Sequence, residues 1–118
     1  MSYDISFKVK VDGTDTYVPV GACNANITWN VGEIIRRSTG LEWKNEANNG
    51  LCKDVVPFIA KGIEELLRNG EKYKQYEPKN GWGSVAGVIE FFTDIIVDWN
   101  DFVAEHEDLK DVATFWID

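Results

Sequence analysis

Two short polar stretches carry the residue types best suited to holding a small ligand. The six residues are Asn26, Trp29 and Asn30 in the first stretch, and Asn80, Trp82 and Ser84 in the second. Amide side chains both donate and accept hydrogen bonds, so they can read the edge of a base or sugar, and an indole ring can stack on a planar group. Each stretch also precedes a predicted helix start, where free N–H groups favour an anion. These features predict a site for a nucleotide-type ligand, with an exposed strand face and a capping turn as the structural alternatives.

A row of carboxylates suggests a different kind of site. Asp94, Asp98, Asp101 and Glu105 are spaced by three or four residues, so they project together if this segment is helical. Such a row can oppose lysines on a partner or coordinate a hard cation, and an ordinary solvated helix face has the same pattern. We predict a partner-binding surface and no metal site.

The charge of the chain is concentrated in the same region. Residues 90–118 contain nine acidic residues and one basic residue, whereas residues 1–89 contain eleven of each, so the net charge of −8 lies entirely in the last 29 residues. A block of negative potential repels nucleic acid and attracts basic surfaces. The sequence therefore predicts no direct nucleic-acid binding and favours a basic protein partner.

The chain has few residues that could form a catalytic site. His106 is the only histidine, and Cys23 and Cys52 are the only cysteines, so a Cys–His pair is the one nucleophilic arrangement left open. The sequence has no Gly-x-Gly-x-x-Gly, Gly-x-Ser-x-Gly, Cys-x-x-Cys or His-Glu-x-x-His motif. We predict that the protein is not an enzyme, that it uses no cofactor, and that both cysteines are reduced.

The elements that must position these residues begin with strands. Ile5–Val11 alternates apolar and polar side chains, Asp12-Gly13 predicts a turn, and Thr16–Val20 returns as the second strand of a hairpin. Alternation resumes over Asn24–Trp29, which predicts a third strand with Asn26 on its polar side. A weaker alternation over Val112–Ile117 predicts a last strand in the same sheet.

Three helices are predicted between these strands. The first starts at Asn30, with Glu33 completing a capping box, and ends before Gly40; the second is capped by Asp54 and ends at Gly70. Its predicted buried face is Val56, Ile59, Ile63, Leu66 and Leu67. Residues 41–53 have no periodicity and predict a loop.

The longest predicted helix covers about residues 84–106, with Ser84 as its N-cap. Apolar residues recur there at intervals of three or four, with the acidic row on the opposite side. We therefore predict one α+β domain over residues 1–118. It is a small antiparallel sheet of the hairpin, the third strand and the C-terminal strand, covered on one face by two to three helices. Ile59, Phe92 and Trp99 are predicted to lie at its centre.

Three motifs carry a resemblance to a family of small phage and prophage proteins. They are Ser2-Tyr3-Asp4-Ile5, Asn26-Ile27-Thr28-Trp29-Asn30, and Asn80-Gly81-Trp82-Gly83 ahead of a long helix. The chain resembles that family over most of its length. Trp29 stands where the family usually has Tyr, a Gly-Gly-rich stretch before the second motif is missing, and the Phe115-Trp116-Ile117-Asp118 ending is similar only loosely. The resemblance implies a phage accessory protein that acts by binding.

Together these observations predict a non-catalytic antagonist of bacterial antiviral defence that sequesters a small nucleotide-type signal. The alternative is an acidic inhibitor that blocks the basic nucleic-acid-binding groove of a host defence nuclease. No segment is apolar for the length of a membrane span, so we expect a cytoplasmic protein, in the host cell if phage-encoded. Self-association stays open.

Overall fold

The N-terminal hairpin forms as the alternation predicts. The computed structural model of the chain describes residues 1–21 and 23–118. Strand β1, Ser2–Lys10, pairs antiparallel with β2, Tyr17–Gly21. The connecting turn places Gly13 at φ 76°, a conformation that glycine adopts without steric cost.

Five antiparallel strands make up the sheet. The other three are β3, Asn26–Thr28, β4, Ala47–Leu51, and β5, Thr114–Ile117. The strand order is β2-β1-β5-β4, and β3 pairs with the N-terminal end of β1. Strands β1 and β5 are therefore central, and the third strand and the C-terminal strand both join the hairpin as predicted.

One face of the sheet is the core face. Tyr3, Ile5 and Phe7 of β1 are buried there, because successive side chains of a strand point to opposite faces. On the other face, Lys8 Nζ lies 4.3 Å from the centre of the Trp116 ring and bonds Asp118 Oδ1 at 3.2 Å. The predicted covering of one face by helices is confirmed.

Three α-helices cover the core face. They are α1, Gly32–Thr39, α2, Cys52–Tyr73, and α3, Val85–Glu105. Ser84 caps α3 by accepting a hydrogen bond from Gly87 N–H at 3.0 Å, which agrees with the predicted start. The residues predicted to be central are buried: Phe92 and Ile59 are 0% exposed and Trp99 is 8% exposed. Within the described residues, none of the helices has the length and apolarity that a membrane crossing requires.

Several predicted helix boundaries were wrong. Asn30 does not cap α1; instead Thr28 caps a preceding 3-10 turn, and Glu33 pairs with Arg37 at 3.0 Å. Asp54 does not cap α2, which begins at Cys52 with no side-chain cap. Strand β4 runs directly into the helix, and Cys52 N–H donates a hydrogen bond to the Ala113 carbonyl instead. Helix α2 runs to Tyr73 across a non-helical residue at Asn69, one residue before the predicted end at Gly70, so α3 is the longest uninterrupted helix, as predicted.

Two further predictions in this region were wrong. Residues 47–51 were predicted as part of a loop, yet they form β4 and pair with β5. Leu67 was predicted to be buried but is 66% exposed, because α2 turns Val55, Gly62 and Leu66 toward the core instead.

Candidate functional site

The first polar stretch is largely bonded to β1. Asn26 Nδ2 donates to Asp4 Oδ1, and Trp29 Nε1 donates to the Ser2 carbonyl at 2.7 Å. Asn30 is exposed, and its backbone N–H donates to Thr28 Oγ1 at 3.4 Å. Two of the three predicted ligand-binding groups therefore already have internal partners that fix β3 to β1.

The second polar stretch forms a tight turn into α3. Asn80 Oδ1 accepts a hydrogen bond from Trp82 N–H at 2.9 Å, a local bond typical of asparagine in turns. Gly83 has φ 133°, and a Cβ added to it would lie 2.5 Å from Val31 Cγ1, so this position requires glycine. Trp82 is 70% exposed. The stretch is therefore a capping turn, which was one of the structural alternatives, and Trp82 does not pack onto the core.

The fold brings the two stretches together at one point. Asn26 and Ile27 of β3 line a depression of about 280 Å³ with Gly83 and Ser84, at the start of α3. Glu90 and Asp94 of α3 line the same depression. Of the six predicted ligand-binding residues, Asn26 and Ser84 share this depression, whereas Trp29, Asn30, Asn80 and Trp82 are not among its lining residues.

A side-chain carboxylate already occupies the N-terminus of α3. Val85 N–H donates to Glu77 Oε2 at 2.8 Å, and Gly87 N–H is occupied by Ser84. A carboxylate at a helix N-terminus takes the place that a phosphate would occupy. The sequence offers no local signal for this role, because Glu77 lies in a loop eight residues before the helix.

The acidic row lies on one flank of α3. Asp94, Asp101 and Glu105 are exposed, whereas Asp98 is half-buried and its Oδ2 accepts a hydrogen bond from Asn24 N–H at 2.8 Å. Among the described residues, the row and the neighbouring Glu90 take part in no ion pair; every ion pair uses an acidic residue outside α3.

The row does not lie directly opposite the core, which corrects the sequence prediction. That side of α3 carries small or uncharged residues, all exposed: Ala86, Thr93, Val97, Asn100 and Ala104. The acidic residues face β3 and the segment before it, as the depressions lined by Asn26 and by Asn24 indicate. The described part of the chain contains no group of three or more His, Cys, Asp or Glu side chains placed to hold a metal ion.

Both cysteines are free, and the surroundings of each disfavour the thiolate form. Burial raises the pKa of the Cys23 thiol to about 12, and the nearby Asp98 carboxylate raises it further. Burial likewise raises the pKa of Cys52. The thiolate is the nucleophilic form of cysteine, so a raised pKa lowers its reactivity. The only histidine, His106, packs its ring against Phe102, with 5.1 Å between the ring centroids. The environment of each thiol thus opposes the Cys–His arrangement that the sequence left open.

One strained loop was missed by sequence reasoning. Trp43 and Glu46 adopt φ of 50° and 53°, a left-handed conformation that residues other than glycine rarely take. Trp43 Nε1 and Asn45 Oδ1 are buried with no hydrogen-bond partner among the described residues. No Gly or Asn at positions 43 or 46 signals this conformation.

No protein-family model, no curated protein and no solved structure matches the chain.

Proposed function

We propose that this chain is a non-catalytic binding protein whose acidic row docks on a basic protein surface. The row is defined here as Asp94, Asp98, Asp101 and Glu105, with Glu90 continuing it toward the helix start. The observation that carries the proposal is that these carboxylates have no cationic partner within the described residues. Helix α3 contains five acidic residues and no Lys or Arg.

Such an arrangement lowers the stability of the isolated protein. Like charges three or four residues apart destabilise a helix by a few tenths of a kcal/mol each. Acidic residues near the C-terminal end also oppose the helix dipole, and the last turn of α3 holds no basic residue. A basic partner would relieve both effects and would be drawn in by long-range attraction.

The resemblance to small phage proteins supplies a setting for this binding. In that setting the basic surface is the nucleic-acid-binding groove of a nuclease in bacterial antiviral defence, and the protein acts in the host cytoplasm. Occupation of the groove by carboxylates would exclude the phosphate backbone, because both bind the same Lys and Arg side chains.

A capture experiment tests the proposal. The immobilised protein is compared with the triple variant Asp94→Asn, Asp101→Asn, Glu105→Gln in a bacterial lysate, with bound proteins identified by mass spectrometry. Asp98 is left intact because it bonds the Asn24 backbone. The matched control, Asp12→Asn, Glu46→Gln, Asp108→Asn, removes the same charge from three exposed residues elsewhere.

We expect the wild type and the control to retain nucleic-acid enzymes that elute as salt rises, and the triple variant to lose them. Capture of the same enzymes by the triple variant would overturn the proposal. So would capture that does not depend on salt, because contacts between exposed charges are screened.

Sequestration of a nucleotide-type ligand is the second candidate. The exposure of Trp82, beside the turn into α3, favours it, because an indole face open to solvent can stack on a base. Glu77, Glu90 and Asp94 oppose a phosphate at the same place. Calorimetric titration with cyclic and ADP-ribose-type nucleotides tests this candidate: binding heat that Trp82→Ala abolishes would support it, and no heat from any member would exclude it.

A further inference from the structure

Helix α2 carries an apolar stripe that the core covers only in part. Val56, Ala60, Ile63 and Leu67 recur at intervals of four, three and four residues, so they share one side of the helix. Val56 and Ile63 are half-buried, and Ala60 and Leu67 are exposed. The side of α2 that faces α1 does not include this stripe. It carries Lys61, Glu65 and Arg68, which line a depression with Arg37 and Thr39 of α1. The stripe therefore lies on the side of α2 that faces α3.

Helix α3 carries a matching stripe. Ile89, Ile96 and Val103 recur every seven residues and are all half-buried, and the exposed Ala86 and Val97 lie next to them on the outer side. The flank of α3 that faces β3 does not include this stripe, because it carries Gly87, Glu90 and Asp94. This stripe therefore lies on the side of α3 that faces α2.

The two stripes meet along the outer surface of the helix pair. Leu66 and Leu67 of α2 line one groove with Ala86 and Ile89 of α3, and the volume of this groove is about 580 Å³. Charged side chains at the end of α2 and in the segment after it line the same groove: Arg68, Glu71, Lys72, Lys74 and Glu77. We call the combined surface the outer seam; its residues are Val56, Ala60, Ile63 and Leu67 of α2, and Ala86, Ile89, Ile96, Val97 and Val103 of α3. It contains no charged residue. Two exposed polar but uncharged side chains of α3, Thr93 and Asn100, lie among these residues and interrupt the apolar surface. Exposed apolar surface of this extent typically marks a site of interaction.

The borders of the outer seam differ in charge. On the α2 side, Lys53 pairs with Asp111 at 3.8 Å and Arg68 pairs with Glu64 at 3.9 Å. On the α3 side lies the acidic row, whose carboxylates have no ion-pair partner in the described parts of the chain. The end of α2 also brings Lys72 and Lys74 to the groove, and these pair with Glu65 at 3.4 Å and with Glu71 at 2.8 Å. An occupant therefore meets one border whose charges are paired and one whose carboxylates are not.

This asymmetry selects the occupant. A second copy of the chain would add another charge of −8, so long-range repulsion opposes self-association. A helix with apolar residues on one side and Lys or Arg beside them satisfies both the seam and its acidic border. Helix α3 has 21 residues, so at the usual rise it offers a track of about 30 Å.

We infer that the outer seam binds an amphipathic basic helix of another protein, with its apolar side in the seam and its basic side along the acidic row. This inference rests on the proposed function and adds the element by which the basic partner is recognised. Apolar anchors at helical spacing provide the contacts, and the charges fix the orientation.

A designed peptide tests the inference without knowledge of the natural partner. The probe is a fluorescent peptide of about 18 residues of Leu and Lys, with leucines at i, i+3, i+4 and i+7, which spans most of the seam. A scrambled peptide of the same composition keeps the charge and loses the apolar side. Binding is followed by fluorescence anisotropy.

The seam variant is Leu67→Gln with Val97→Gln, at side chains that are 66% and 50% exposed. Its matched control is Val18→Gln with Val112→Gln, at side chains that are 43% and 49% exposed outside the seam. None of these substitutions changes charge. Because all four positions are exposed, we expect both variants to fold, which circular dichroism checks.

We expect the seam variant to weaken peptide binding by about tenfold, as the loss of apolar burial predicts. The control should weaken it by less than about twofold, and the scrambled peptide should bind wild type about tenfold more weakly. Equal effects of the two variants, or equal binding of the two peptides, would overturn the inference. In that case loss of lysate capture by the acidic-row variant would still support the proposed function.

Two further outcomes would also overturn the inference. One is peptide binding that the triple acidic-row variant leaves unchanged, because charge would then play no part. The other is sedimentation of the wild-type protein as a dimer that the seam variant alone dissociates, which would identify a second copy as the occupant.

Discussion

At the scale of single residues, the loop before β4 concentrates backbone strain. Left-handed φ at a residue other than glycine costs about 1–2 kcal/mol. Trp43 offsets this cost by packing, with ring centroids 5.7 Å from Tyr3 and 5.9 Å from both Phe91 and Phe115. Glu46 is exposed and has no such packing. The strain at Glu46 is therefore uncompensated by its own side chain.

Substitution of Glu46 by Asn should stabilise the protein. Asn adopts the left-handed region more readily, so we expect the free energy of unfolding to rise by about 0.5–1 kcal/mol, as measured by urea denaturation. Glu42→Asn is the control, because Glu42 is an exposed residue of the same loop without positive φ. A similar gain in the control would show that φ at Glu46 is not the cause.

At the scale of elements, the end of α2 is held by a bond across its irregular residue. Asn69 departs from helical geometry at φ −124° and ψ 27°. Tyr73 Oη, beyond this point, donates to Glu65 Oε1 at 2.8 Å, and this bond lowers the pKa of the Glu65 carboxyl. Burial, and then the Glu65 carboxylate, raise the pKa of Tyr73 to about 12. The carboxylate therefore fixes the last turn of the helix to the preceding turns.

This bond should make the effect of Glu65→Gln depend on pH. A carboxyl whose pKa is lower in the folded state stabilises the fold above its ordinary value of 4.5, and the contribution is lost as pH falls through the lowered value. We expect the variant to be less stable than wild type at about pH 7, with the difference shrinking toward about pH 3.

Urea denaturation across this pH range measures the effect. Glu64→Gln is the control, because Glu64 is exposed and its pairing with Arg68 at 3.9 Å contributes little. A loss of stability in Glu65→Gln that stays constant with pH would contradict the assignment.

At the scale of the whole molecule, negative charge is placed where it lowers stability. Residues 1–89 are neutral overall, and the net charge of −8 arises after them, largely on one flank of α3 and in the segment that follows. Proteins commonly retain destabilising features of this kind where they serve a function.

Removal of this charge should therefore stabilise the free protein. We expect the triple variant Asp94→Asn, Asp101→Asn, Glu105→Gln to gain about 0.5–1 kcal/mol in the free energy of unfolding at about 0.01 M salt. The gain should narrow at about 1 M salt, where charges are screened beyond about 3 Å. Unfolding at both salt concentrations measures it. A gain no larger than that of the Asp12→Asn, Glu46→Gln, Asp108→Asn control would show that the position of the charges does not matter.

Features of local origin followed from the sequence. The hairpin follows from alternation around Asp12-Gly13, and α3 follows from helical periodicity after Ser84. In both cases neighbouring residues supply the signal, through side-chain period and capping. The helical period located the acidic row for the same reason. The sequence placed the row directly opposite the core, whereas it lies on the flank of α3 toward β3.

Tertiary contacts decided the rest. Strand β4 has no period of its own; its Asn49 side chain bonds Lys44, and its pairing partner β5 lies more than 60 residues away in sequence. Glu77 at the start of α3 and the meeting of the α2 and α3 stripes likewise depend on how the elements pack. The energy of such pairings belongs to residues that are distant along the chain, so it leaves no local pattern. Sequence alone therefore determined which side chains are available, and packing decided which of them remain unpaired at the surface.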